Sequence, residues 1–591
     1  FMPEGVSKEK FGEFRRFFDK DIFAAASLRI RSLAREADEM NIEERIEQIY
    51  TIFNYFRNPD KETVLTPPRV VNMHMGDTLG GWNFYRRTNE FGETYYDDTQ
   101  SPEPVFCPVE GVTDEVFATS SRVLEINSKS GLYPLYVAYS IYRKRLEQAA
   151  GRLTLREQHN VWDETVASNV FIVCKTPMAA AITRRTLCGF RKVKCNAKHY
   201  PNLLSDIKNN QPRLIARLRM GRGFWGANAC DNMKFNAVVG NPPYQEMQTT
   251  DNTTSAQAAL AGAIYPMFID LAVAIGAKFV SMITPSRWMT KSGRGVNDEW
   301  VDKMLHGNHF IRIEDYLSAT DCFPNVEIKG GVSYFLLSPQ YTGKCKYCLH
   351  SNNSTKVTYD YLDTLGLGII LRDTCAVSIL GKVKAREGEY FGVKSFASTV
   401  ASGTLFCDCA KGILNTNWRG YALQQDEKHY IKYYLNKKLV KEGFAWIRYE
   451  DMIKAWDTLP LHKVFIPIAG GSGNDPLVLG RPFYGEPNSI CSQTYICIGF
   501  DPEIHNWSKE QCENVVSYIK TRFFRYLVSI KKRTQHAFAQ VYELVPLQDF
   551  TPNSDIDWSQ DVAGIDRQLY AKYGLSADEV AFIEERIKPM E

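Results

Sequence analysis

Phe235-Asn236-Ala237-Val238-Val239-Gly240-Asn241-Pro242-Pro243-Tyr244 is the stretch that decides the fold. Phe235 to Val239 is a short apolar run closed by Gly240, which predicts a buried strand ending in a turn. Three similar runs flank it: Ser121 to Ile126, Asn169 to Cys174 and Lys278 to Ile283. Between them lie helical patterns at Leu135 to Leu146, Pro177 to Leu187 and Ile264 to Ile275. Strands alternating with helices at this spacing predict an α/β architecture with a doubly wound parallel sheet. Ligands bind beyond the carboxyl ends of such strands, and Asn241 to Tyr244 stand at one of those ends.

The rest of the chain is read outward from there. Residues 1–58 predict a helical lead or linker, because Ile42, Ile46, Ile49, Tyr50, Phe53 and Phe56 repeat at the spacing of one buried helix face. Asn58-Pro59 is expected to stop it. Residues 59–340 hold the strand–helix alternation. After 340 the texture shifts to short strands, Gly-rich turns and aromatics, so 341–591 is expected to be a separate mixed α+β domain. One helix is predicted over Lys509 to Lys532, and another after the capping-box pattern Ser576-x-x-Glu579, running to Ile587.

Composition excludes several classes. With 591 residues, 44% hydrophobic and 24% charged, the chain is neither collagen-like, coiled-coil nor wholly disordered, and it has room for three or four domains. Lys+Arg 71 against Asp+Glu 68 gives a net charge of +3, which excludes a histone-like polycation but not a local basic face. Ala263 to Pro285 contains Asp270 and Lys278 and reads as buried elements, not a membrane span. Lys8, Lys10, Arg15 and Arg16 precede no long apolar core, so no signal peptide is expected. Fourteen Cys without framework spacing fit a reducing cytosol, and a cytoplasmic location follows. The start at Phe1-Met2 reads as the edge of a longer polypeptide.

The tetrapeptide Asn241-Pro242-Pro243-Tyr244 suits chemistry on a nucleobase. The Asn oxygen accepts a hydrogen from an exocyclic amine. The prolines stiffen the loop and leave a carbonyl with no competing N–H. The Tyr ring offers a stacking face to a base taken out of the duplex. A bare Asn-Pro-Pro turn is the alternative, and the apolar strand before it weighs against that.

In context, AVVGNPPYQE resembles the amino-group DNA methyltransferases, and within them the adenine-N6 branch. Thr66-Pro67-Pro68, Arg122-Val123-Leu124-Glu125 with Gly131, and the Asn-Pro-Pro-Tyr loop occur in the order of the gamma class. LEINSKSGLYPLY, VCKTPMA and the C-terminal tail are similar to the large fused restriction–modification proteins of that class. The resemblance implies a Rossmann-like methyltransferase sheet, S-adenosyl-L-methionine as cofactor, and a C-terminal target-recognition domain. It implies catalysis by Asn241, Pro242, Pro243 and Tyr244, with no metal, and a cofactor site from Thr66, Pro67, Glu125, Asn127, Gly131 and Lys175. It also implies double-stranded DNA as partner, and a fused or separate helicase or nuclease module. Three departures are the turn Ile126 to Gly131, the end Val173-Cys174-Lys175-Thr176 of the second strand, and Asn236 before the loop. They keep open a methylase-fold module that only binds DNA. Methylation of RNA or of a protein glutamine is a further alternative.

Two acid-poor stretches are expected to meet phosphates. Thr183 to Gly223 has eleven Lys/Arg, including Arg184 and Arg185, with one acid, and Asn514 to Tyr542 has Lys520, Arg522, Arg525, Lys531, Lys532 and Arg533 with none. Phe523, Phe524 and Tyr526, interleaved with the second set, read as core. Gly470 to Pro476, with Ser489, Gln493 and Thr494, is a candidate base-reading loop. Asp315, Asp321 and Glu327-Ile328-Lys329 mimic a nuclease core that would hold a divalent ion. Cys345-x-x-Cys348-x-His350 and Cys407-x-Cys409 read as reduced thiols rather than zinc ligands. No Gly-x-x-x-x-Gly-Lys-[Ser/Thr] occurs, so this chain carries no helicase motor.

Overall fold

A computed structural model describes residues 19–56, 65–149, 151, 153–226, 231–245, 262–291, 296–323, 328, 330–351, 354–471, 475–532 and 536–590. The expected stop at Asn58-Pro59, the residues Glu327 and Lys329, and Arg533 lie outside them. The chain divides into two compact units, Phe1–Leu362 and Asp363–Glu591.

The first unit opens with α1 (Lys20–Glu36) and α2 (Ile42–Asn54). Asn41 caps α2 in a capping box with Glu44. Ile42, Ile46, Ile49 and Tyr50 are buried in the unit's main core, so this helix belongs to the core it precedes. Next comes α3 (Pro68–Thr78), with Pro68 at its first position, where no N–H is needed.

The sheet follows: β1 (Val123–Ile126), α4 (Leu132–Gln148), β2 (Val170–Cys174), α5 (Pro177–Cys188), β3 (Asn196–His199), β4 (Ala237–Gly240), α6 (Tyr265–Ala274), β5 (Phe279–Pro285), β6 (Phe310–Tyr316), β7 (Val332–Leu337), β8 (Cys345–Ser351) and β9 (Ser354–Asp360). Its order is β9-β8-β6-β7-β5-β4-β1-β2-β3. Strands β1 to β5 run parallel, while β7 is antiparallel to both β5 and β6. Every residue of β1, β2, β4 and β5 is buried, which is why those strands read as unbroken apolar runs. The chain steps from β1 outward to β3, then returns to the other side of β1 with β4. That reversal makes the β1/β4 edge the topological switch point, where a crevice is expected.

The unit extends past residue 340 because β8 pairs with β6 and carries β9 on its outer edge. Alternation along β8 sends Cys345 to one face and Cys348 and His350 to the other, so the three cannot share one metal ion. Packing fixes α5 through Trp162, which is fully buried and donates its indole N–H to the Leu187 carbonyl at 2.8 Å. Truncating such a side chain to Ala costs about 3–5 kcal/mol.

The second unit has two three-stranded sheets: His429–Tyr434 between Phe444–Arg448 and Ser489–Cys491, and Lys463–Pro467 between Phe483–Gly485 and Tyr495–Ile498. The single helix expected over 509–532 is two, α7 (Lys509–Lys520) and α8 (Arg522–Lys531). Thr521 leaves helical geometry at ψ 150° and its hydroxyl accepts from the Phe524 N–H, so it caps α8. Phe523, Phe524 and Tyr526 are buried in this unit's core. The last helix, α9 (Ala577–Arg586), starts at the Ser576/Glu579 capping box.

Candidate active site

Elements of the first unit converge on the switch point. Strand β4 delivers Asn241, which is 9% exposed, and its Nδ2 donates to Thr66 Oγ1 at 3.0 Å. Thr66 enters from the segment ahead of α3 and is buried, with Pro67 half-buried beside it. Pro242 is buried, and Pro243 and Tyr244 are half-buried. The Tyr244 carbonyl accepts from the Ile264 N–H at 3.2 Å, and Gln245 bridges Ala263, so the loop is held at its far end. The Tyr244 hydroxyl is interior with no hydrogen-bond partner among the described residues, and burial pushes its pKa well up.

Strand β1 delivers Glu125, which is 5% exposed. A Cβ placed on Gly240 would lie 3.5 Å from Glu125 Cγ, so the carboxylate runs along the end of β4, next to Asn241. Its Oε2 is buried without a hydrogen-bond partner among the described residues. Desolvation raises its pKa to about 8, against the pull of the Ser128 hydroxyl and the Lys129 charge. Beyond Glu125 the chain turns through Asn127, which has φ 70°. Asn tolerates this region because its short polar side chain bonds locally. The N–H groups of Asn127 and Ser128 both donate to the Val173 carbonyl, at 2.9 and 3.1 Å, tying the turn to β2. Gly131 has φ 80°, and a Cβ there would sit 3.0 Å from the Thr183 Cα in α5. Lys175 is half-buried where β2 ends, on the same edge of the sheet.

The structure thus brings together Thr66, Pro67, Glu125, Asn127, Gly131, Lys175 and the Asn241–Tyr244 loop. It adds side chains that sequence reasoning missed. Tyr133, in the first turn of α4, has its hydroxyl 2.8 Å from His74 Nδ1. His74 Nε2 lies 2.8 Å from Ser281 Oγ on β5. No spacing in the sequence marks these residues, because packing alone joins three distant segments.

The basic candidates divide. Arg184 and Arg185 on α5 are exposed, each giving one guanidinium bond to a local carbonyl, of Ala197 and Gly189. Lys520 is half-buried. Arg522 pairs with Glu584 at 2.8 Å, and Lys531 with Glu543. Arg525 and Lys532 correct the expectation of phosphate contact, since both are 0% exposed. Arg525 donates to the carbonyls of Lys520, Thr521, Leu477 and Lys588, and burial lowers its pKa to about 10. Lys532 donates to the Gly471 carbonyl, and burial lowers its pKa to about 8. Their apolar neighbours drew them inward, and main-chain oxygens satisfy their donors.

Of the base-reading candidates, Ser489 is buried and donates to the Glu486 carbonyl, while Gln493 and Thr494 are half-buried. Gln493 lines a depression of about 590 Å³ with Ser402, Thr404, Phe538 and Gln540. Asp315, from the nuclease alternative, is fully buried and accepts from Ser286 and Tyr347.

Residues 168–323 match the Eco57I restriction-modification methylase family. That segment includes β2 to β6 and the Asn241–Tyr244 loop, so the loop lies inside the stretch that is similar to this methylase family. An "Uncharacterized adenine-specific methylase" of Mycoplasma pneumoniae (strain ATCC 29342 / M129 / Subtype 1) is 35% identical over 112 residues, 19% of this chain. The chain spans only a quarter of that relative's length, 25%. Two solved structures show remote likeness. The type IIG restriction endonuclease BpuSI is 12% identical, covering 92% of this chain and 67% of its own, with a TM-score of 0.34. The type IIL restriction-modification enzyme MmeI, solved in complex with DNA, is 7% identical, covering 79% and 73%, with a TM-score of 0.40.

Proposed function

We propose that this chain is the methyltransferase module of a restriction–modification or phage-defence system, acting on adenine N6 in double-stranded DNA. One observation carries the proposal: Asn241, held by Thr66 at the β1/β4 switch point, stands beside the buried carboxyl of Glu125. In this reading the first unit is the doubly wound, Rossmann-like catalytic domain and the second is the DNA target-recognition domain. A helicase or nuclease module, fused or separate, completes the system in the cytoplasm.

The residues present fit S-adenosyl-L-methionine. A desolvated carboxyl with one oxygen unpaired among the described residues suits the cationic amine of its methionine part. The Asn127–Gly131 turn, with no side chain at Gly131, lets backbone approach closely. Thr66 and Pro67 border the site on one side and Lys175 on another. When bound, the cofactor supplies an electrophilic methyl group. The adenine is turned out of the stack, and Tyr244 offers its ring face to it. Asn241 Oδ1 and the Pro242 carbonyl each accept one hydrogen of the N6 amine, orienting the nitrogen and raising its electron density. Arg184, Arg185 and Lys520 supply positive charge to the duplex.

The test is transfer of tritiated methyl groups onto mixed-sequence duplex DNA. Asn241→Ala should lower kcat by on the order of 100-fold or more while the thermal transition stays in place. Full activity in that variant sinks the assignment. If the parent chain binds duplex but transfers nothing, the DNA-binding-module alternative replaces it.

A further inference from the structure

Strand β9 ends the large sheet on one side, and no described strand pairs with its outer edge. It pairs with β8 over all seven residues, Ser354 to Asp360, with no bulge. Native sheets blunt such an edge with proline, bulges, shortness or charges. β9 has no proline, and its only charges are Lys356 and Asp360. Its apolar side chains stand in water: Val357 is 57% exposed and Tyr359 64%.

The strand register fixes which main-chain groups that edge leaves open. Ser351 faces Ser354 with only two residues between them, so the two form a hydrogen-bonded pair. Such pairs alternate with non-bonded ones along an antiparallel ladder. Ser354, Lys356, Thr358 and Asp360 therefore spend their N–H and C=O groups on β8. Thr355, Val357 and Tyr359 turn theirs outward, toward the place of a further antiparallel strand. The β9 strand of a second copy fits that place. With a two-fold axis at Thr358, Val357 and the partner's Tyr359 become a hydrogen-bonded pair, and so do Tyr359 and the partner's Val357. Lys356 then stands opposite the partner's Asp360, and Thr358 opposite the partner's Thr358. An aromatic against a β-branched residue, opposite charges, and paired threonines are the cross-strand pairs that stabilise antiparallel sheets. Asp360 already meets Lys344 at 3.3 Å, so each acid comes to lie between two lysines. Moving the axis by one residue leaves Lys356 opposite no acid. Moving it by two sets Lys356 against its own copy, or Asp360 against its own, and like charges directly opposite repel.

We propose that β9 is a dimer edge, at which two copies of this chain join their sheets through antiparallel β9 strands about a two-fold axis at Thr358. The nine strands of each copy then form one continuous sheet. The contact is isologous, so it closes after two copies and does not propagate. It uses none of the residues placed at the β1/β4 switch point, and so stands or falls apart from the methyl-transfer reading.

Two measurements test it. In sedimentation velocity, the full chain should pass from monomer to dimer as its concentration rises from about 0.5 to about 50 µM. Val357→Pro removes one outward N–H and no bond to β8, a position where edge strands accept proline. It should raise the dimer dissociation constant at least about 10-fold and leave the thermal midpoint within about 2 °C of the parent's. Lys356→Glu, which sets like charges opposite, should weaken the dimer in the same direction, and adding Asp360→Lys should restore it. The second measurement reads the register. Under the thiol oxidant diamide, Thr358→Cys should give a disulfide-linked dimer, because directly opposed residues of a non-bonded pair stand about 4.5 Å apart at Cα, within disulfide reach. Thr355→Cys should give none, since that residue and its copy lie about 20 Å apart along the strands. A parent that stays monomeric at about 50 µM overturns the proposal and leaves the edge to a strand of another protein. A dimer unchanged by both Val357→Pro and Lys356→Glu overturns it as well, as does equal cross-linking of the two cysteine variants.

Discussion

A carboxyl group that is 5% exposed, with one oxygen lacking a hydrogen-bond partner among the described residues, resists ionisation, and Glu125 is in that position. Its folded-state pKa of about 8 lies above the ordinary 4.5, so the fold prefers the protonated form. The contribution of the group to stability is therefore most favourable below 4.5 and is lost as pH rises toward 8. Glu125→Gln should leave stability unchanged near pH 4 and raise it at pH 8–9 by up to a few kcal/mol, read from denaturant midpoints. A lower midpoint at pH 9 contradicts that account. A cation beside the carboxyl favours its ionised form, so calorimetry should also show S-adenosylmethionine binding the parent more tightly as pH rises from about 6 to about 7.5, below the range where an α-amine loses its charge, with proton release. Glu125, Asn241 and Thr66 were legible because local strings carry them. His74, Tyr133 and Ser281 were not, because 59 residues separate His74 from Tyr133 and 207 separate it from Ser281, and only folding joins them.

At the level of elements, the turn between β1 and α4 has the least freedom. Gly131 combines φ 80° with a neighbouring backbone atom 3.0 Å from where a Cβ would stand. The neighbour is the Thr183 Cα, which cannot rotate away. Gly131→Ala should thus cost more than the roughly 1 kcal/mol of the left-handed conformation alone, and should weaken cofactor binding by shifting the turn. A thermal midpoint equal to the parent's would show that α5 yields. Turn and strands were readable from apolar runs and glycines. Two features were hidden. The period of buried residues runs on through Thr521, so nothing in the pattern shows that its hydroxyl ends one helix and caps the next. Strand β9 is an outer edge with exposed Val357 and Tyr359, so its mixed composition looked like a new domain when it still belonged to the sheet.

For the whole molecule, a net charge of +3 says little until each cation is placed. The stretch from Asn514 to Tyr542 looked like a basic face, yet Arg525 and Lys532 point inward and Arg522 and Lys531 sit against carboxylates. Sequence shows where cations lie along the chain, but burial and pairing decide which reach solvent. Arg184 and Arg185 remain exposed on α5, with donors left over after one local bond each. Duplex affinity should therefore draw more on α5 than on α8. Measured by fluorescence anisotropy between about 50 and 200 mM salt, the parent should lose affinity linearly in log[salt]. Arg184→Gln with Arg185→Gln should make that slope shallower by up to about two. Arg522→Gln with Lys531→Gln should leave the slope unchanged, because ion-paired cations release few counterions when phosphate arrives. If the second pair flattens the slope and the first does not, DNA lies along α8 and the surface charge of α5 serves another purpose.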